Sequence, residues 1–471
     1  MTSRAIHWFR QDLRLSDNPA LFEACKTGHV LPVFIYDSTS LPKLGSGSKW
    51  WLHHSLISLN QSLNGKLKVF AGDTITTLLE VIEESRSTKV FWNRAYSPDN
   101  WNLDAKLRQI LTDRNIDYQI YNGSLLWEPS KILNQDNLPY RVFTPFYKKV
   151  CSSGPEPRLP VGLPDLASID QIETGVHVNE LSLSSANTVV DKLGTNWSIG
   201  ETNANLNLTN FISQNLANYK TGRDFPALPN VSRLSPHLHF GEISPNQIWH
   251  RILALRSLMN GNSDKFLSEL GWREFAHYLL WHFPHLPYES LQERFDEFPW
   301  SYDDTYLKQW QSGITGYPIV DAGMRELNQT GYMHNRLRMI VGSFLVKNLL
   351  IHWHAGRDWF WERLVDADIA NNSAGWQWIA GCGADAAPYF RVFNPILQGK
   401  KFDPDGLYIK TYIPELKDVP LEYIFSPWEA PQSVLEKAGV VLGKEYPLPI
   451  VDLKTSRLKA LEAFSYIKID K

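Results

Sequence analysis

Cysteine is scarce. Cys25, Cys151 and Cys382 are the only three in 471 residues, and no two of them form a C-x-x-C pair. A disulfide framework and a thiol redox motif are therefore excluded, and a reducing compartment, the cytoplasm, is expected. Charge of one sign is also lacking. Lys and Arg number 47 against 50 Asp and Glu, a net −3, so there is no global basic field and any nucleic-acid partner must meet a local patch. No apolar run is long enough for a bilayer. The longest helix-like stretch, around Met339 to Trp353, is interrupted by Lys347. Met1-Thr2-Ser3-Arg4 leads straight into strand-like sequence, with no signal-peptide core. P-loop, G-x-S-x-G, H-E-x-x-H and Cys/His metal spacings are missing, which disfavours acyl transfer and zinc chemistry. A monomer without a membrane partner is expected.

What is present is a soluble globular composition, 43% hydrophobic and 21% charged, long enough for two or three domains. Aromatics are abundant: 18 Trp, 19 Tyr and 22 Phe. A given Trp is most often a core residue. The sharper alternatives are stacking on a flat ligand and electron transfer, because indole is easily oxidised.

Residues 1–130 alternate strands and helices. Ala5–Phe9, His29–Tyr36, Leu67–Phe70, Val90–Trp92 and Tyr118–Tyr121 read as strands. Helices are expected over 18–28, capped by Asp17 or Asn18 with Pro19 at the first position, and over 48–63, 73–84 and 99–114. Five strands with intervening helices predict a doubly wound parallel α/β sheet. Pro32 suggests an edge or strand-end position for the second strand. The loop after the first strand, Arg10-Gln11-Asp12-Leu13-Arg14, has no glycine fingerprint, so ordinary dinucleotide binding is not expected there. Residues 131–200, rich in Pro, Ser, Gly and Asn, read as a long linker with little regular structure. Residues 201–471 read as an all-α domain. Its helices are expected near 206–218, 245–258, 266–282, 305–312, 320–328, 332–354, 359–364 and 434–442.

The stretch Gly331–Lys401 interleaves Arg, Asp and Asn with apolar residues and tryptophans. Buried polar groups cost free energy unless paired, so this segment is expected to surround a ligand or an internal network. Asp366, Asp368 and Asn372 invite a calcium-loop reading, but an EF-hand needs Gly and Glu where Asn371 and Gln377 stand. Gly381-Cys382-Gly383-Ala384-Asp385-Ala386 matches G-x-G-x-x-A, yet a helical region precedes it, so a dinucleotide fingerprint is rejected. Arg391, Lys400, Lys401 and Lys410 form a modest basic patch near the aromatic Trp378, Tyr389 and Phe390, a combination that suits nucleic acid.

Several long motifs, in order, carry a likeness. They are Trp8-Phe9-Arg10-Gln11-Asp12-Leu13-Arg14-Leu15-Ser16-Asp17-Asn18, Arg223-Asp224-Phe225-Pro226, Ser232-Arg233-Leu234-Ser235-Pro236, Trp272-Arg273-Glu274-Phe275, Thr315-Gly316-Tyr317-Pro318 and the 331–401 stretch itself. Over nearly its whole length the chain resembles the photolyase/cryptochrome family, most closely the class I cyclobutane pyrimidine dimer photolyases. The resemblance implies an N-terminal antenna domain and a helical domain that buries FAD. Tyr219, Ser232, Leu234, Ser235, Arg273, Arg338, Asp366, Asp368 and Asn372 match the family's FAD contacts. Arg338 and Asp366 match its ion pair beside the flavin, and Asn372 the amide near flavin N5.

The implied reaction is light-driven splitting of a dimer in UV-damaged DNA by an electron from reduced FAD, after the dimer has been flipped out of the helix. Glu269, Trp272, Asn335, Arg336, Met339 and Trp378 match residues around the dimer. Glu269 would stabilise the charge on a thymine carbonyl, and Trp272 and Trp378 would be aromatic walls. Arg391, Gln398 and Lys401 match phosphate contacts. Trp376, Trp353 and Trp300 match an electron-transfer triad, in that order outward from the flavin. Folate-binding relatives carry a glutamate after the fourth strand and a Cys-Lys pair in the helical domain. Here the corresponding regions read Trp92-Asn93-Arg94-Ala95-Tyr96-Ser97 and Phe283-Pro284-His285-Leu286-Pro287. Methenyltetrahydrofolate, an 8-hydroxy-5-deazaflavin or no antenna all stay open. The rivals are a signalling cryptochrome, against which the short C-terminus speaks, a (6-4) photolyase, which carries a different histidine-bearing motif at 334–339, and a flavin-free DNA-binding protein.

Overall fold

The computed structural model describes residues 4–39, 43–183, 193, 196–386 and 391–467. By its contacts the chain divides into two compact units. One holds Met1–Ala217, Ser232–Pro284 and Val365–Asp368, the other Asn218–Val231, His285–Leu364 and Ile369–Lys471. The units are interleaved along the sequence. The division into 1–130, 131–200 and 201–471 concerns sequence modules and stands as a proposal.

The first unit contains β1 (Arg4–Phe9), β2 (His29–Tyr36), β3 (Lys68–Ala71), β4 (Lys89–Asn93) and β5 (Asp117–Tyr121). They pair in parallel in the order β3-β2-β1-β4-β5. Alternation along each strand sends side chains to opposite faces. Ile6, Trp8, Leu31, Val33, Ile35, Val90 and Trp92 enter one core cluster. Ala5, Phe9, Val30, Phe34 and Phe91 enter the other, with Trp51 and Phe240. Burial on both faces is why these strands read as continuous apolar runs.

Helix signals hold where capping chemistry is local. Asn18 accepts from the Leu21 amide at 3.1 Å ahead of Pro19–Cys25. Asp73 accepts from Thr76 at 2.9 Å ahead of Thr74–Ser85. Two expectations need correction. β2 is an internal strand, not an edge. Its ladder to β3 begins only at Val33, so Pro32 sits where its missing N–H costs least. The linker also contains a ten-residue helix, Phe143–Ser152, which packs on the helix Asn262–His282.

The topological switch point lies between β1 and β4. Side chains fill its polar interior. Asp12 accepts from Asn93 at 2.6 Å and from Asn18 at 3.0 Å. Buried Arg14 donates to the carbonyls of Asp17, Gly241 and Gly123. The β1 loop therefore spends its polar groups on itself, in keeping with its lack of a glycine fingerprint.

The second unit is helical. Its helices include Asp304–Ser312, Pro318–Thr330, Asn335–Ser343, Trp353–Arg363, Ile369–Ala380, Pro395–Phe402 and Leu453–Tyr466. The single helix expected over 332–354 is broken. A wide i→i+5 turn spans Phe344–Asn348, Leu350 takes a left-handed φ of 56°, and a new helix starts at Trp353. No Gly or Pro marks the break. His352 makes it locally affordable, because its Nδ1 accepts from the His354 amide at 3.1 Å as an N-cap. No described helix is long and apolar enough to cross a membrane.

Candidate functional site

In the first unit the site residues start from one helix, Asn262–His282. Glu269, Trp272 and Arg273 stand three and four positions apart, so they share a face. Trp272 stacks on Phe143 with ring centroids 3.8 Å apart and planes at 11°. Phe143 belongs to the helix that sequence patterning missed, and it supports the Trp272 ring. Glu269 is partly exposed and pairs with Lys265 at 2.8 Å, one turn earlier. Arg273 donates to the Ser124 carbonyl and to Glu274, each at 3.0 Å. Glu274 is buried and accepts from the Leu126 amide at 2.7 Å. Burial raises its pKa against the lowering influence of Arg273 and His277. It pins the helix, and nothing along the chain singles it out from its motif.

The short Val365–Asp368 segment brings two carboxylates into the same unit. Asp366 is buried and accepts from the Ser235 hydroxyl at 2.6 Å. Asp368 faces His277 Nε2 at 3.4 Å and His239 Nδ1 at 3.8 Å. Burial acts to raise its pKa, but the two imidazoles outweigh it and hold the carboxyl well below the usual range. Leu234 is buried beside Ser235, and Ser232 is half-buried. Neither histidine was singled out in the sequence, because two residues so far apart in the chain have no local pattern.

The second unit carries Tyr219, Arg338, Asn372 and the three tryptophans. Asn372 and Trp376 lie four apart on the helix Ile369–Ala380. Asn372 donates to the Arg357 carbonyl at 3.0 Å. Arg338 Nε donates to the Met333 carbonyl at 2.9 Å, and its guanidinium lies 5.6 Å over Tyr332. Tyr219 is buried under the Arg223 guanidinium at 5.5 Å. Trp376 packs edge-on against Phe360 at 4.9 Å and lies on the backbone of Gly356, where a Cβ would come within 2.1 Å of the indole. Only glycine lets the Trp353–Arg363 helix approach so closely. Trp353 is fully buried and Trp300 half-buried. The indole N–H groups of all three are buried without a hydrogen-bond partner among the described residues. Trp378, two positions from Trp376, points to another side and is half-buried. Between them Gln377 is fully buried. Its amide donates to the Leu286 and Glu289 carbonyls at 2.7 Å and accepts from Leu291 at 3.0 Å, holding the 286–291 loop.

The same unit holds the basic residues. Arg336 is held by Asp224 at 2.7 Å and lies 4.2 Å over the Phe402 ring. Met339 Sδ is 3.7 Å from Arg336. Asn335 is exposed at the helix start. Asn394 caps Pro395–Phe402 by accepting from the Leu397 amide at 3.1 Å, and that helix presents Gln398, Lys400 and Lys401. Arg391 is exposed, and its carbonyl accepts from buried Lys347. Tyr389 and Phe390, expected beside this patch, lie outside the described residues. The helix Asn335–Ser343 is capped by His334, whose Nδ1 accepts from the Arg336 amide at 3.1 Å. Burial, with Arg223, Arg336 and Arg338 nearby and Asp224 opposing them, pushes the His334 pKa down to about 4. Among the described residues no cluster of His, Cys, Asp and Glu could hold a metal ion. Gly381 follows a helix and no strand, whereas a dinucleotide fingerprint follows a strand.

Residues 5–164 match the family described as DNA photolyase, and residues 266–466 match the FAD binding domain of DNA photolyase. A deoxyribodipyrimidine photo-lyase of Agrobacterium fabrum is 46% identical over 99% of this chain and 98% of its own length. Cryptochrome-1 of Arabidopsis thaliana is 36% identical over 98% of this chain and 70% of its own length. A crystal structure of a class III photolyase from Agrobacterium tumefaciens superposes with a TM-score of 0.95 at 45% identity, covering 99% of this chain and 98% of that one. The motif likeness drawn from the sequence was to class I members; this structural relative is of class III, and the family is common to both.

Proposed function

Because the chain belongs to the photolyase/cryptochrome family, we propose that it repairs cyclobutane pyrimidine dimers in UV-damaged DNA under blue light, acting as a deoxyribodipyrimidine photo-lyase. Its cofactor is FAD, through the binding domain over 266–466. The donor set fits that group. A flavin dinucleotide asks for hydroxyl and cationic donors at its diphosphate and for carboxylates at its hydroxyls and ring N–H. Ser232, Ser235 and Arg273 would supply the first and Asp366 and Asp368 the second, while Arg338 would stand beside the flavin ring. Asn372 is a neutral amide that suits a reduced ring. When bound and reduced, FAD supplies the photoexcited electron that opens the cyclobutane ring. An antenna chromophore accompanies FAD in this reading, its identity open between a folate and a deazaflavin.

The observation that carries the reading is the face of the Asn262–His282 helix. It joins a half-exposed carboxyl, Glu269, to a Trp272 indole fixed by stacking on Phe143 at 3.8 Å. A dimer is poorly stacked in DNA, so it flips at low cost and can lie against a rigid indole. Glu269 stabilises the charge that develops at a thymine carbonyl. Trp378 gives a second aromatic wall. Asn335, Arg336 and Met339 line the lesion, and Asp224 presets Arg336. Arg391, Gln398 and Lys401 meet phosphates, so affinity falls with salt. Trp300, Trp353 and Trp376 carry electrons inward to the flavin. The protein works as a cytoplasmic monomer. The 36–38% identity to Arabidopsis cryptochromes favours a second reading, a blue-light photoreceptor without repair.

Reduced protein is mixed with a dimer-containing oligonucleotide under blue light and thymine recovery is followed. Recovery is expected, with a lower yield per photon for Glu269→Ala at nearly unchanged binding of damaged DNA. Absence of recovery in the wild type would select the photoreceptor.

A further inference from the structure

We infer that His352 is a positioning residue of the electron path: its imidazole is the ring that joins Trp300 to Trp353. The inference rests on the electron-path reading above. The His352 ring meets Trp300 with centroids 5.0 Å apart and Trp353 at 5.7 Å, nearly parallel to the latter at 25°. Trp300 and Trp353 share no ring contact of their own among the described residues. On its other side Trp300 touches Phe298 at 4.3 Å, and Trp353 touches His354 at 4.1 Å. The imidazole is therefore the shared neighbour of both indoles.

The backbone fixes this ring. Nδ1 of His352 accepts from the His354 amide at 3.1 Å, which caps the Trp353–Arg363 helix and leaves the ring proton on Nε2. The cap thus sets both tautomer and orientation. A neutral ring is what the step needs, because each flanking indole carries a positive hole in turn. Burial lowers the His352 pKa, as does Arg357, while Asp296 and Asp358 oppose. Arg357 stands 5.5 Å over Trp353 but is paired with Asp358 at 2.7 Å.

The step balances as one electron. Trp353 would refill Trp376 and Trp300 would refill Trp353, with the flavin, when bound and photoexcited, as the acceptor for Trp376. The hole ends on half-buried Trp300, and His352 gains and loses neither electron nor proton.

Two substitutions separate ring from cap. His352→Asn keeps a side-chain acceptor for the cap and removes the ring. His352→Phe keeps a ring and removes the acceptor. Flavin-loaded full-length protein is followed by transient absorption of the tryptophan radicals and by its melting temperature. Transfer from Trp300 is expected to slow severalfold in the Asn variant with the melting temperature kept. In the Phe variant transfer is expected to stay near wild type while the melting temperature falls. Wild-type transfer in the Asn variant, or equal slowing in both, overturns the inference. Trp376→Phe is the control for the underlying reading: if it leaves photoreduction unchanged, the electron path itself is wrong. If it abolishes photoreduction while His352→Asn transfers normally, only the role of His352 falls.

Discussion

Trp353 and Trp376 are 0% and 1% exposed, whereas Arg391, Lys400 and Lys401 stand in solvent, although all five belong to one compact unit. The two faces are built from opposite materials. The proposed electron path is rings packed on rings and on bare backbone, with buried indole N–H groups that meet no hydrogen-bond partner among the described residues. The proposed phosphate face is charge on exposed side chains, with Asn394 capping the helix of Lys400 and Lys401 and Lys347 donating to the Arg391 carbonyl. Packing positions one face and electrostatics the other. Substitutions should therefore fall into two classes, costly for the fold and nearly free for it.

The largest effect is expected inside. Trp376→Ala removes a buried indole from between Phe360, Trp310 and Gly356 and should cost about 3–5 kcal/mol in denaturant unfolding. A cost below about 1 kcal/mol would mean that the pocket collapses freely and that the rigid-path description is wrong.

An intermediate effect lies where the two materials meet. His334 caps the helix that carries Asn335, Arg336 and Met339, and it must be neutral to accept from the Arg336 amide. Its pKa is near 4 in the folded chain, against about 6.5 unfolded. Because the folded form resists protonation, this contribution is complete above pH 6.5. It is lost progressively as pH falls towards 4 and stays constant below that. The difference is about 3 kcal/mol. Unfolding titrations of the wild type and His334→Asn should diverge in that window, the variant being flatter; parallel curves would remove the assignment.

The smallest effect on stability is expected outside. Arg391→Ala and Lys401→Ala should change unfolding free energy by less than about 0.5 kcal/mol. Each should also lower the slope of log affinity for DNA against log salt by about 1, whatever the sequence. An unchanged slope would take that residue off the phosphate face.

Much was legible where the signal is local. The inner strands β1, β2 and β4 are apolar runs buried on both faces, and Asn18 and Asp73 announce their helices by capping. The spacing of Glu269, Trp272 and Arg273 already places them on one helix face. The break between Ser343 and Trp353 was not legible. Its cause is a histidine cap and a left-handed Leu350, neither of which carries a sequence signature. Gln377 and Glu274 were also opaque, since a buried amide or carboxylate is recognised only by the backbone groups it satisfies.

The sequence by itself determined the parallel sheet, the helical character of the rest, and the motifs that point to FAD and damaged DNA. Those properties follow from periodicity, composition and short-range chemistry, which are written along the chain. Tertiary structure alone decided that Phe143 backs Trp272, that Gly356 seats Trp376, that His239 and His277 face Asp368 and that His352 meets two indoles. Most of these contacts join residues remote in sequence. Each depends on packing distances of a few ångströms that no local pattern encodes.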